Sequence, residues 1–245
     1  MGVEPVIINM EDICYAYPGG GEILNHIHFS LQAGEKVGLI GGNGSGKTTL
    51  LHIIIGILQA NSGKLTVFDE AVRSEKDFFR VRQRVGLLFQ NSDDQLFSPT
   101  VLEDVAFGLL NQGKKPSDAC DIARQTLRDL NLGGFEDRVT HTLSGGEKKL
   151  VALATILTMQ PEILLLDEPT SGLDEATKNR LTEILQGLAI SYIIVSHEYD
   201  FLIANTDTIY GMKAGILTYH GDSAYLHSHY HSHPAGKLPH QHSVS

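Results

Sequence analysis

Three short stretches of this sequence carry residues whose types and spacing could do chemistry. The first is GGNGSGKTT, Gly41 to Thr49, which satisfies G-x-x-x-x-G-K-[ST]. Its glycines Gly41, Gly42, Gly44 and Gly46, with Asn43 and Ser45 among them, let the backbone wrap a phosphate chain with N–H groups turned inward. Lys47 is spaced for the β- and γ-phosphates, and Thr48, ahead of Thr49, for the Mg2+ that travels with them. The second stretch is ILLLDE, which puts Asp167 and Glu168 at the end of an apolar run. One carboxylate can hold Mg2+ through water while its neighbour polarises an attacking water. The third is LSGGE, Leu143 to Glu147. Ser144 and Glu147 have the spacing of a capping box, and Ser144 with the Gly145 and Gly146 amides can also bind phosphate at a helix start.

Elements must place these groups. KVGLI (36–40), VGLLF (85–89), ILLL (163–166) and YIIV (192–195) are short apolar runs of the kind buried on both faces. They predict a parallel sheet covered by helices, with the phosphate loop between the first of them and the helical stretch LLHIIIGIL. Asp167 and Glu168 then sit at the carboxyl edge of that sheet, where ligands of open α/β sheets bind. The first forty residues differ: VIINMEDICYAY and EILNHIHFSL alternate around a glycine turn and predict a half-exposed antiparallel sheet. VLEDVAFGLL, DACDIARQTLRDL and GGEKKLVALATIL read as helices, so a helical insertion splits the α/β core.

The chain has 245 residues and a net charge of −10, a balance that argues against a nucleic-acid partner. No apolar run approaches the roughly 18 residues of a membrane-spanning helix. Two cysteines, Cys14 and Cys120, form no disulfide framework and suit a reducing cytosol. From Tyr225 onward His, Ser and Pro dominate, which reads as a flexible tail. Its alternating His227, His229, His231 and His233, with His240 and His242 beyond, could converge on a divalent transition metal or do nothing.

Taken with their order, these motifs make residues 5–222 resemble an ATP-binding-cassette (ABC) ATPase. The resemblance implies a P-loop NTPase core with an N-terminal antiparallel β subdomain and an inserted α-helical subdomain. The expected division is an ATPase domain over 1–222, with core 1–90 and 160–222, helical subdomain about 91–159, and a His-rich tail 223–245. Tyr17 corresponds to the aromatic that stacks on adenine, and Gln90 to the glutamine linking Mg2+ and attacking water to a membrane partner. LSGGE matches the signature that approaches a nucleotide held by the opposite subunit. SGLD, Ser171 to Asp174, matches the loop crossing the dimer seam, and His197 the histidine that senses the γ-phosphate. Catalysis would then rest on Glu168, His197, Gln90 and Lys47, with Thr48, Gln90 and Asp167 around Mg2+. The signature continues as EKK where the family more often has Gln and a later Arg, and Glu147 still serves as a capping residue.

QNSDDQLFSPTVLEDVAFG, Gln90 to Gly108, is similar to energy-coupling-factor ATPases of the cobalt and nickel branch. That implies an ATPase energising an importer from the cytoplasmic face of the membrane, held by a transmembrane coupling subunit and a substrate-binding membrane subunit. An apolar trio, Leu96, Phe97 and Val101, beside Asp93 and Asp94 is expected to form a groove for a basic amphipathic helix. Because the chain carries both the signature and Glu168, two copies suffice for a homodimer. Related importers carry vitamins, and non-transport cassettes exist, so the cargo stays open at this point.

Overall fold

A computed structural model describes residues 4–223. The His-rich segment, including His227, His229, His231 and His233, lies outside the described residues, and so do residues 1–3.

The chain begins with two long strands, β1 (Val6–Ala16) and β2 (Glu22–Gln32), followed by β3 (Lys36–Ile40). Helix α1 (Lys47–Ile55) follows the glycine loop, then β4 (Ser62–Val67) and β5 (Glu70–Val72). Next come α2 (Glu75–Arg82) and β6 (Val85–Leu88). Three helices follow, α3 (Val101–Asn111), α4 (Pro116–Asp129) and α5 (Gly145–Leu157). The chain then alternates through β7 (Ile163–Asp167), α6 (Glu175–Gly187), β8 (Ser191–Val195) and α7 (Tyr199–Asn205). It closes with the hairpin β9 (Thr208–Lys213) and β10 (Ile216–Asp222).

Two sheets result. The antiparallel one has the order β2-β1-β4-β5, as the alternation near the N-terminus predicts. Ile8 and Met10 bury their side chains while Glu11 faces water. The larger sheet has the order β10-β9-β3-β8-β7-β6. Its four apolar runs pair in parallel, β3 with β8, β8 with β7 and β7 with β6. Strand β9 joins β3 in parallel and β10 closes the edge antiparallel. Each residue of β6, β7 and β8 is buried, so these strands need apolar side chains on both faces.

One apolar cluster fills the space between the two sheets and α1, with Leu24, Leu51, Ile54 and Leu165 among its members. A second packs α5, α6 and α7 on the other face of the large sheet through Ala152, Leu181 and Tyr192. A third, around Val105, Ala123, Leu127 and Val151, holds α3, α4 and α5 together. Helix α5 belongs to both of the last two clusters and so ties the helical part to the large sheet. Ser223 is buried and its N–H donates to Asp207 O at 2.9 Å. No helix among the described residues is long and apolar enough to cross a membrane.

Candidate nucleotide site

The parallel sheet ends at one edge, and its loops build a cavity of about 460 Å3 there. The lining includes Asn43, Gly44, Ser45, Gly46, Lys47, Thr48 and Thr49 from the glycine loop and the start of α1. Tyr17, Gln90, Asp167, Glu168 and His197 reach it from four other segments. Residues up to 180 positions apart in sequence therefore meet because β3, β6, β7 and β8 lie side by side and end together.

The loop conformation demands glycine at specific points. At Gly41, φ is +152° and a Cβ would lie 2.3 Å from the Met212 carbonyl oxygen. At Gly46, φ is +109° and a Cβ would strike Leu24 at 2.7 Å. Gly46 caps α1 without any side-chain hydrogen bond, so the first amides of the helix stay available to an anion. Gly41 and Gly42 line an adjoining cavity that shares His197, while their carbonyls accept hydrogen bonds from Lys47 Nζ at 2.7 and 3.1 Å. Burial lowers the Lys47 pKa, opposed by the negative charge of Glu168 and Asp167.

Several polar atoms here lack partners. Asp167 Oδ1 and Ser45 Oγ are shut off from solvent with no hydrogen bond among the described residues. Unsatisfied buried oxygens are costly, so their presence points to a ligand. Burial raises the Asp167 pKa, against a Thr48 hydrogen bond and the charges of His52, Lys47 and Lys149, which lower it. A carboxylate oxygen beside a threonine hydroxyl is the donor set a hard divalent cation takes, so the residues present fit Mg2+.

Glu168 follows at the end of β7 with φ +46°, a left-handed backbone that a non-glycine residue adopts only under constraint. Its N–H is held by Val195 O at 2.9 Å, and Oε1 lies 2.7 Å from His197 Nδ1. Burial raises the Glu168 pKa, countered by His197 and Lys47 and reinforced by Asp167. Tyr17 is 42% exposed at the rim, its hydroxyl 3.2 Å from Thr49 Oγ1. An open aromatic face next to a phosphate loop suits a planar base.

Ser144, Gly145 and Gly146 do not join this cavity. They start α5 at the surface, where Ser144 Oγ accepts from Glu147 N–H at 3.3 Å and Glu147 Oε2 accepts from Ser144 N–H at 2.8 Å. Arg138 donates to Glu147 at 2.7 Å and, through that hydrogen bond first, holds its carboxyl down at about 2. Ser171 and Gly172 are likewise exposed, and Asp174 caps α6. Of the apolar trio expected to form a groove, Phe97 is 65% exposed and Leu96 is partly buried, but Val101 is fully buried. Val101 opens α3, where Thr100 and Glu103 form a capping box, so the helix turns it into the core. The groove wall opposite Phe97 is instead Val139, Thr140 and His141.

Lys149 is a component that sequence reasoning missed. It is 3% exposed on α5, and its Nζ donates to the carbonyls of Gln90 at 2.7 Å and Phe89 at 3.1 Å. Burial brings its pKa down to about 8. A lysine in the helical stretch GGEKKLVALATIL at a position of the apolar period was the available signal.

Residues 24–171 match the family model described as ABC transporter. The chain is 46% identical over 237 residues to a protein of Nitratidesulfovibrio vulgaris named as an ABC transporter ATP-binding protein, covering 96% of this chain and 86% of that one. It is 42% identical over 219 residues to the energy-coupling factor transporter ATP-binding protein EcfA of Methanothermobacter thermautotrophicus, covering 88% and 70%. Among solved structures it is similar to CbiO1 of Clostridium perfringens, part of the ABC transporter complex CbiONQ, at 34% identity and a TM-score of 0.81 over 92% of each chain. With this fold around this loop, and at these identities, the chain belongs to the ABC transporter ATP-binding proteins and is an ATPase.

Proposed function

We propose that this chain is the ATP-hydrolysing subunit of an energy-coupling-factor importer for cobalt or nickel ions, working at the cytoplasmic face of a membrane. The carrying observation is Glu168, buried, strained and paired with His197, at the mouth of the phosphate cavity. In this reading two copies close head to tail on two ATP molecules. Tyr17 stacks on each adenine, and the glycine-loop amides and Lys47 hold the β- and γ-phosphates. Thr48, Asp167 and Gln90 hold Mg2+, which when bound neutralises charge on the phosphate oxygens.

Glu168 takes a proton from water as that oxygen bonds to the γ-phosphorus and the bond to the β–γ bridging oxygen breaks. Lys47 and His197 stabilise the charge that gathers on the phosphoryl oxygens. Ser144, Gly145 and Gly146 of the partner, outside the cavity of a single chain, complete each site. Product release reopens the pair and moves a coupling helix of the transmembrane subunit. The groove of about 440 Å3 beside Asp93, Leu96 and Phe97 suits that helix: Phe97 stands out, propped edge-on against Phe107 at 4.7 Å, an exposed apolar anchor for it.

The cobalt or nickel cargo draws on the Gln90–Gly108 segment and on similarity to CbiO1. Vesicles carrying the chain with its membrane partners should accumulate labelled cobalt or nickel with ATP, and not with Glu168→Gln. Accumulation of a vitamin and neither metal overturns the cargo; tight, salt-sensitive nucleic-acid binding with no transport overturns the importer.

A further inference from the structure

The segment after β6 is stitched to α5 at three points. Lys149 donates to the carbonyls of Phe89 and Gln90. Gln95 Oε1 accepts from Phe89 N–H at 3.3 Å, while Gln95 Nε2 donates to Ala152 O at 2.8 Å and Thr155 Oγ1 at 3.0 Å. Lys148 pairs with Asp93 at 2.6 Å. Lys148 and Gln95 hold the outer part of the loop, where the groove begins; Lys149 alone of the three grips the backbone of Gln90.

Lys149 is a costly residue to bury. Its ammonium is received by two carbonyls, so an apolar side chain of similar length would fill the space but leave those oxygens without this donor. What an apolar chain cannot do is fix two carbonyl oxygens. Lys149 lies five residues beyond Ser144, about 7.5 Å along the same helix. One rigid element therefore carries the signature amides at its tip and the Gln90 backbone on its flank.

We infer that Lys149 is a positioning residue for hydrolysis, locking Gln90 to α5 so that seating the signature on a partner's nucleotide also sets Gln90 in the chain's own site. This rests on the two-chain reading above and adds to it a physical link between the two sites. Both sites are then filled in concert, because moving α5 in one chain moves a ligand-facing residue in that same chain.

The test uses the full chain with Lys149→Met and Lys149→Arg, each also combined with Glu168→Gln. Lys149→Met should unfold at a modestly lower temperature, because two carbonyls lose their donor, and still bind ATP normally as a single chain. Its kcat should fall about tenfold or more with little change in KM, as loss of a transition-state arrangement predicts. Its Hill coefficient for ATP should drop from near 2 towards 1, and Lys149→Arg should restore most of both. Wild-type kcat and Hill coefficient in Lys149→Met overturn the inference. So does a loss of stability matching the loss of kcat and unrelieved by Lys149→Arg, which marks a purely structural lysine. If Glu168→Gln alone fails to pair in ATP, the two-chain reading falls; if it pairs and Lys149→Met hydrolyses normally, only the role of Lys149 falls.

Discussion

The glycine loop and the start of α5, the two regions proposed to share a nucleotide, are built on opposite terms. Around the glycine loop, groups are buried and unfinished: Asp167 Oδ1 and Ser45 Oγ have no partner, α1 has no side-chain cap, and Glu168 holds a left-handed backbone. At the start of α5 Ser144 and Gly145 are exposed, and the side chains are satisfied, with Ser144, Glu147 and Arg138 closing a capping box on themselves. The difference separates two kinds of site. The first is preorganised and stores unsatisfied polarity that a bound nucleotide relieves. The second is satisfied without ligand, and in the proposed two-chain reading its glycine amides meet phosphate only when another chain delivers it.

Substitutions should split along that line. The largest effect belongs to Glu168→Gln, which keeps the shape of the cavity and removes the proposed base; turnover should fall by roughly 10²–10⁴ while ATP binding survives. Steady-state hydrolysis and a binding titration read both. Gly41→Ala comes next. Its Cβ would meet the Met212 carbonyl at 2.3 Å with φ at +152°, so about 1–3 kcal/mol of stability should go, together with nucleotide affinity. Gly145→Ala is the matching change at the other end: no atom lies within 4 Å of the added Cβ and the position is helical. The single chain should be as stable or up to about 1 kcal/mol more so, with unchanged ATP affinity, and any loss should appear only in paired hydrolysis. Equal damage from both glycine changes in the single chain would erase the contrast.

Smaller effects sharpen it. Glu147 titrates at about 2 in the folded chain against an ordinary 4.5. The unfolded chain therefore binds more protons between those values, and the stability Glu147 contributes is full above about 4.5 and drains as pH falls towards 2. Glu147→Gln should flatten that part of an unfolding curve measured against pH, without touching the glycine-loop cavity. Tyr17→Ala should weaken ATP binding roughly three- to tenfold, the worth of one aromatic contact at a half-open rim.

Strand and helix assignments were legible wherever a single physical rule dominated. Apolar runs of four or five residues became β3, β6, β7 and β8, and the periodic stretches became α3, α4 and α5. The glycine loop, the Asp167–Glu168 end of β7 and His197 beyond β8 were placed by strand order, which brings them to one cavity. Less visible were features set by tertiary contact. Val101 reads as an exposed groove residue until the Thr100 cap fixes the phase of α3. The polar stretch holding α2 was passed over, although Ser74 and Asp77 spell a capping box. Lys149 was hidden because a charged residue on a helix is ordinarily solvated, and only the packed helix shows its ammonium turned inward to two carbonyls.

The contrast between a cradle and a clamp requires two chains, and mass in solution reads that most directly. Full-length Glu168→Gln should run as a monomer alone and as a dimer in saturating Mg·ATP by light scattering, returning to monomer when Ser144→Arg is added to block the clamp. A monomer of Glu168→Gln at every ATP concentration, with nucleotide shown to be bound, would contradict the shared site at its root.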